Sequence, residues 1–168
     1  MIDFRPLLDR LAQSIESPAQ RLTPARIAAE ETRLGHPLHP LLRAVYGQVA
    51  DGGFGPDYQL FPLAEAVDTY TRERTTNAGT EWAWPEGVLP ILTWGCGMYA
   101  AVDCRNADGQ VLLFEPNAGD PEQAWWIDSA SLEAWFEHYL AQDGWWNLVE
   151  AGEDPGELIP WDRPNGVA

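Results

Sequence analysis

The segment Glu81-Trp82-Ala83-Trp84-Pro85-Glu86 holds two carboxylates flanking two indoles. A sugar cleft uses such a set, with one acid protonated and the other ionised. The same residues also read as a loop whose tryptophans cover a sheet, because spacing along the chain leaves the carboxyl separation open. His36 and His39 stand three apart, which suits a metal, but Pro37 and Pro40 make the segment a turn. No Cys, Asp or Glu completes a ligand set at a usual spacing. Gly95-Cys96-Gly97-Met98-Tyr99-Ala100 fits G-x-G-x-x-A, a dinucleotide fingerprint that must open a helix. Here the Asn106–Gly109 turn follows too soon, and the stretch reads as a strand entered through a glycine bend.

Other reactive groups have plainer readings. Glu133 and Glu137 lie one helical turn apart and form a solvated face, since like charges at that spacing disfavour the helix. None of Ser14, Ser17, Ser129 and Ser131 sits in G-x-S-x-G. The last two flank a helix start, where capping explains them. His138 falls on the polar side of that helix. The chain has no lysine, which excludes a P-loop, a Schiff-base lysine and a Ser-Lys nucleophile pair. No catalytic residue, metal or cofactor is expected.

The elements that must position these groups follow from periodicity. Phe4, Leu7, Leu8, Leu11 and Ile15 share a helical stripe, with Asp3 as cap and Ser17-Pro18 as stop. Thr23-Pro24 starts a second helix, ended by Gly35. Pro40 opens a third, with Leu41, Leu42, Val45, Tyr46 and Val49 on its stripe, terminated by Asp51-Gly52-Gly53. Tyr58 to Phe61 reads as a short strand. A helix begins at Pro62 with Leu63, Val67 and Tyr70 on one face, and the polar 72–79 stretch reads as a loop. Strands are expected at Val88–Thr93, Met98–Cys104, Val111–Glu115 and Trp125–Ile127, with a hairpin turn at Asn106–Gly109. Leu132, Trp135, Phe136, Tyr139 and Leu140 define a closing helix, capped by Asp128 or Ser129 and ended by Gly144. The order of elements makes the fold α+β: an antiparallel or mixed sheet with helices packed against it, N-terminal helices and a closing C-terminal helix. Residues 1–149 read as one domain. Residues 150–168, with Pro155, Pro160 and Pro164, read as an irregular acidic arm.

Composition narrows the partners. The 168 residues carry 10 basic groups, all arginine, against 26 acids, a formal charge of -16. Residues 1–102 hold 12 acids and 8 Arg; residues 103–168 hold 14 acids and 2 Arg. Nucleic acid is not an expected partner, because phosphate binding needs clustered cations, and an anionic membrane surface is disfavoured too. The acidity favours a basic protein partner or serves solubility. Nothing approaches the roughly 18 apolar residues of a spanning helix. The N-terminus lacks the pattern of a signal peptide, so a cytoplasmic location is expected. Cys96 and Cys104, about 26 Å apart if on one strand, are too distant for a disulfide and are expected to be reduced and packed.

One order of pieces is distinctive. Glu31-Thr-Arg-Leu34-Gly35-His-Pro-Leu38-His-Pro40 runs into Asp51-Gly52-Gly53. Then come Pro90-Ile91, Gly95-Cys96-Gly97, Ala101-Val102-Asp103, Gly109-Gln110-Val111 and a closing Ser131-Leu132-Glu133-Ala134-Trp135-Phe136. This resembles the SUKH superfamily, which includes fungal regulators of cell-wall synthesis and bacterial toxin-immunity proteins. The resemblance covers roughly residues 25–141. Asp51 stands where the family pattern has Asn, its Leu-Pro step is Leu38-His39-Pro40, and the acidic arm has no counterpart. Gly52, Gly53, Gly95, Gly97 and Gly109 read as structural glycines, so the pattern is a fold signature that carries over no catalytic residue.

The resemblance implies a non-enzymatic binding module. For a single bacterial-type domain it implies an immunity protein that neutralises a toxin by binding it. Nuclease toxins are basic because they hold phosphates, and an acidic surface would steer the encounter. Partner contact is expected at Glu81, Trp82, Trp84, Glu86, Asp120, Glu122 and Trp126, since exposed aromatics beside acids make a protein-binding hot spot. Trp125 and Trp126 must point to opposite faces if they lie on a strand. A regulatory adaptor of the cell-wall-regulator type, or a carbohydrate-binding protein built on the Glu81–Glu86 loop, are the alternatives.

Overall fold

The structure, a computed structural model, describes residues 3–56 and 58–162. A five-stranded antiparallel meander runs in the order β1 (Val88–Gly95), β2 (Met98–Asp103), β3 (Val111–Phe114), β4 (Trp125–Ser129) and β5 (Ile159–Pro160). Helices α1 (Arg5–Gln13), α2 (Pro24–Leu34), α3 (Pro40–Ala44) and α4 (Leu63–Thr76) precede β1, and α5 (Leu132–Ala141) and α6 (Trp145–Glu150) follow β4. The fold is α+β with the helices packed against the sheet. No helix of the described residues is long and apolar enough to cross a membrane.

Local chemistry sets most boundaries. The Thr23 hydroxyl accepts from the Arg26 N–H, Pro24 occupies the first helical position, and Gly35 ends α2 in the left-handed region. Asp3 sits one place before the cap of α1, where its carboxylate accepts from the Arg5 N–H at 3.1 Å. α3 continues as a π turn over Val45–Val49, which keeps Val45, Tyr46 and Val49 buried. The chain then reverses at Gly52, where a side chain would lie 2.6 Å from the backbone of Leu60 and Phe61. Gly109 closes the β2–β3 hairpin at φ 62, with the His39 ring 2.8 Å from where a Cβ would stand.

The core joins both faces of this arrangement. Leu11, Leu41, Leu42, Tyr46, Leu63, Leu89, Ile91, Leu92, Leu112, Trp135 and Phe136 are fully buried within it. Each such side chain contributes about 1.5–3 kcal/mol relative to exposure.

Four local expectations change. Tyr58–Phe61 is not a strand: Leu60 N–H donates to Phe54 O and Phe61 N–H to Ile91 O, so the segment folds on itself and reaches β1 through that bond and the Tyr58 ring against Trp94, without a strand ladder. The polar 72–76 stretch is the last turn of α4, not a loop. Its polarity is that of an exposed helix face, with Glu73 accepting from the Tyr99 hydroxyl and Arg74 donating to Trp84 O. Ser131 caps α5, because Asp128 and Ser129 are still in β4, and Gln142 ends it in the left-handed region. Gly144 therefore opens α6 instead of closing α5. The arm beyond Glu150 is irregular until Ile159-Pro160 adds β5 to the edge of β4; Pro164 lies outside the described residues.

Candidate partner-binding surface

Tyr99, Phe114 and Trp125 are paired across β2, β3 and β4, so their rings form one row on one face of the sheet. Trp84 lies over this row, with ring centroids 5.8, 5.1 and 4.8 Å from the three. Its indole N–H donates to Val88 O at 2.7 Å. Trp84 is only 3% exposed. It is a core residue: its ring packs on Tyr99, Phe114 and Trp125 and is not presented at the surface in this structure. Trp82 stands edge-on to Phe114 at 6.4 Å and is half-buried, while Glu81 and Glu86 are exposed. The 81–86 loop is thus a cover on the sheet, pinned to α4 through Arg74.

Trp126 is paired with Leu113, and both point away from that row. The arm returns over this outer part of the sheet. Ile159 and Pro160 pair with Ile127 and Trp126, the Trp161 N–H donates to Trp125 O at 3.0 Å, and the Trp161 ring packs 5.5 Å from Trp125. Between arm and sheet lies a groove of about 490 Å³ lined by Leu113, Trp126, Leu158, Pro160, Glu115 and Glu157. Asp120 caps a 3-10 turn at Pro121–Gln123, accepting from the Glu122 N–H at 2.9 Å and the Gln123 amide at 3.0 Å. The Glu122 side chain is exposed. The sequence-predicted contact set is therefore divided: Trp82 belongs to one face, Trp126 to the other, and Asp120 and Glu122 to the loop between β3 and β4.

A carboxylate that sequence reasoning assigned only to capping lies deeper. Asp128 accepts from the Trp145 indole N–H at 2.9 Å and from the Ser129 hydroxyl at 3.0 Å. Burial pushes its carboxyl up to about 6, and these two hydrogen bonds and the nearby His138 hold the rise in check. The bond ties α6 to β4. Above α6 a second cavity, about 360 Å³, is lined by Tyr58, Trp94, Met98, Trp145, Trp146 and Val149 among others. Trp94 packs 4.9 Å from Trp145 and 5.4 Å from Trp146. The adjacent tryptophans 145 and 146 were the available signal for this element, but six residues after a glycine left their helix unseen.

Several of the remaining candidates join elements of the fold, and others are exposed. His39 is buried; its Nδ1 accepts from the Leu41 N–H at 3.3 Å and its Nε2 bonds Ala107 O at 3.0 Å, so both nitrogens join α3 to the hairpin turn. His138 is exposed and bonds Asp143 at 2.8 Å. Among the described residues no group of three or more His, Cys, Asp or Glu could hold a metal ion. Gly95 and Gly97 are the bend between β1 and β2, not the start of a helix. Glu137 is held bidentately by Arg10 at 2.7 Å, joining α5 to α1, while Glu133 is exposed. Cys104 and Cys96 are both free, at opposite ends of β2. Burial pushes the Cys104 thiol up to about 12. Cys96 is exposed, not packed, because it sits in the tip of the β1–β2 bend. Asp51 accepts from the Leu63 N–H at 2.8 Å and so caps the start of α4, a role its position in the turn did not advertise.

The SMI1 / KNR4 family (SUKH-1) model matches residues 21–138. α6 and the arm lie beyond the matched segment. No curated protein matches the chain.

Proposed function

We propose that this chain, which belongs to the SMI1/KNR4 family (SUKH-1), is a non-enzymatic binding module that neutralises a basic, nuclease-type toxin domain by direct association. One observation carries the reading. From Asn106 to Asp162 the chain has thirteen acids and no arginine or lysine. Among the described residues of that stretch, only Glu137 and Asp143 take part in ion pairs, with Arg10 and His138. The surface built from β3, β4, α6 and the arm is electronegative, and half-buried Trp126 lies within it. Such a surface raises the local concentration of a cationic partner and speeds docking. A nuclease domain is cationic for the reason that it holds phosphates.

Affinity purification from the native cell, followed by stopped-flow association with the recovered protein, tests this. The expected result is one basic partner bound one-to-one, with an on-rate that falls about tenfold or more between low and high salt. Several endogenous partners of modest affinity would replace toxin neutralisation with an adaptor role. An acidic partner, or an on-rate indifferent to salt, would overturn the reading.

A further inference from the structure

We infer that the groove between the arm and the outer face of β3–β4 is the docking site for a partner segment presenting an arginine or lysine beside a large apolar side chain. The inference rests on the proposed function and places it on the molecule.

The groove has two chemistries at once. Leu113, Trp126, Leu158 and Pro160 give an apolar floor, and Glu115 and Glu157 stand with them in the lining. Neither glutamate is in an ion pair among the described residues; Glu115 Oε1 accepts only from the backbone and side-chain amide of Asn117. A floor of this kind takes an apolar anchor, and two carboxylates with no cation paired to them among the described residues take a guanidinium or ammonium. A neutral apolar occupant would leave the carboxylates partly desolvated without compensation, which costs free energy. A purely cationic occupant would leave the Trp126 and Leu158 surface without a partner. At about 490 Å³ the groove falls within the range of sites that enclose a compact ligand group.

Local charge completes the argument for a cation. On the arm Glu157 lines the groove and Glu153 and Asp154 precede it in sequence, and no arginine or lysine lies between Asn106 and Asp162. Among the described residues, paired arginines lie elsewhere: Arg10, Arg33 and Arg43 are paired within the helical part, and Arg105 with Asp103 at the hairpin. The groove also explains an otherwise uneven surface. Leu113 is buried, yet it is covered by Trp126 and the arm and stands outside the main hydrophobic core. The covering strand is only Ile159–Pro160, and Ile159 is 66% exposed. An edge this short can yield to an incoming chain.

The test uses the full chain and a fluorescein-labelled peptide alternating leucine and arginine, with a serine-arginine peptide of equal charge and length as control. The expected result is saturable binding of the leucine-arginine peptide. Binding weakens about tenfold or more in Trp126→Ala and in the double variant Glu115→Gln, Glu157→Gln, and changes less than about twofold in Glu81→Gln, Glu122→Gln. The serine-arginine peptide binds several-fold more weakly. Circular dichroism and thermal denaturation confirm that each variant is folded; if Trp126→Ala is not, Leu158→Ser takes its place. Equal losses in both double variants, or equal binding of the two peptides, would show diffuse charge attraction. That result would overturn the groove while leaving the basic-partner reading intact. Failure of the chain to bind either peptide at low salt would overturn the groove as well. The salt-dependent association of the recovered partner then decides the broader reading separately.

Discussion

The helical part and the sheet–arm part use charge in opposite ways. In the first, carboxylates are committed to the fold. Glu31 accepts from the Leu38 N–H at 3.0 Å and pairs with Arg43, buried Glu30 pairs with Arg33, and Asp51 caps α4. In the second, most carboxylates are in no ion pair among the described residues, and the aromatic rings do the holding: Trp84, Phe114, Trp125 and Trp161 pack edge-on or tilted in succession across β3, β4 and the arm. The difference teaches that acidity alone does not mark a functional surface. An acid that joins two elements is structure, and only acids left unanswered beside apolar surface point to a partner.

The contrast is sharpest at the tryptophans, so the largest effect is expected there. Trp84→Ala removes a buried ring over three aromatic neighbours and the donor to Val88 O. It should destabilise the protein by about 3–5 kcal/mol in urea denaturation. Trp126→Ala, in the half-exposed groove, should cost about 1 kcal/mol or less. Comparable losses at the two sites would erase the distinction between structural and presenting aromatics.

Asp128, half-buried between β4 and α6, is an acid of the second region whose titration carries a definite sign. Its carboxyl is raised to about 6 from an ordinary value of 3.8. The folded protein therefore binds this proton more tightly than the unfolded chain. The cost of keeping the carboxylate buried is present in full above about pH 6 and is relieved as pH falls toward 4. Asp128→Asn keeps an oxygen acceptor for Trp145 and cannot ionise. It should gain about 2 kcal/mol at pH 7.5 and lose this component of pH dependence between 4 and 6, read as denaturation midpoint against pH. An Asn variant less stable than the parent at pH 7.5 would show that the charged form is what ties α6 to β4. In the first region the sign reverses: Glu31→Ala strips Arg43 and the Leu38 N–H of their acceptor and should destabilise by about 1.5–3 kcal/mol at pH 7.

How far these differences could be read from sequence depends on the range of the interaction. The stripe Leu132, Trp135, Phe136 and the Thr23-Pro24 start are local patterns, and they appear where periodicity and capping place them. The four strands of the central meander also follow from the hairpin turn and apolar runs. The same local logic misread 72–76, where an exposed helix face looks like a loop, and Tyr58–Phe61, where an apolar run packs without a strand partner. The surface was least legible. Whether Trp82, Trp84 and Trp126 share a face depends on the register of β3 against β4 and on an arm that returns to the edge of β4. Those are long-range pairings that no window of the chain contains. Alternation did separate Trp125 from Trp126, because period two is a local rule; which of them was buried was settled by Trp84 and Phe114.

The smallest effect is the most discriminating. If the carboxylates of the second region are held for a partner, removing them one at a time should leave the fold almost untouched. Glu157 is exposed and Glu122 is exposed, and neither is in an ion pair among the described residues. Glu157→Gln and Glu122→Gln should each shift stability by less than about 0.5 kcal/mol, in the stabilising direction, because each removes repulsion from a chain of formal charge -16. Both should slow association with a cationic protein, more at low salt than at high. Dissociation should separate them, rising for the groove residue Glu157 and staying level for Glu122, since a remote charge steers the encounter while a desolvated one also holds the complex.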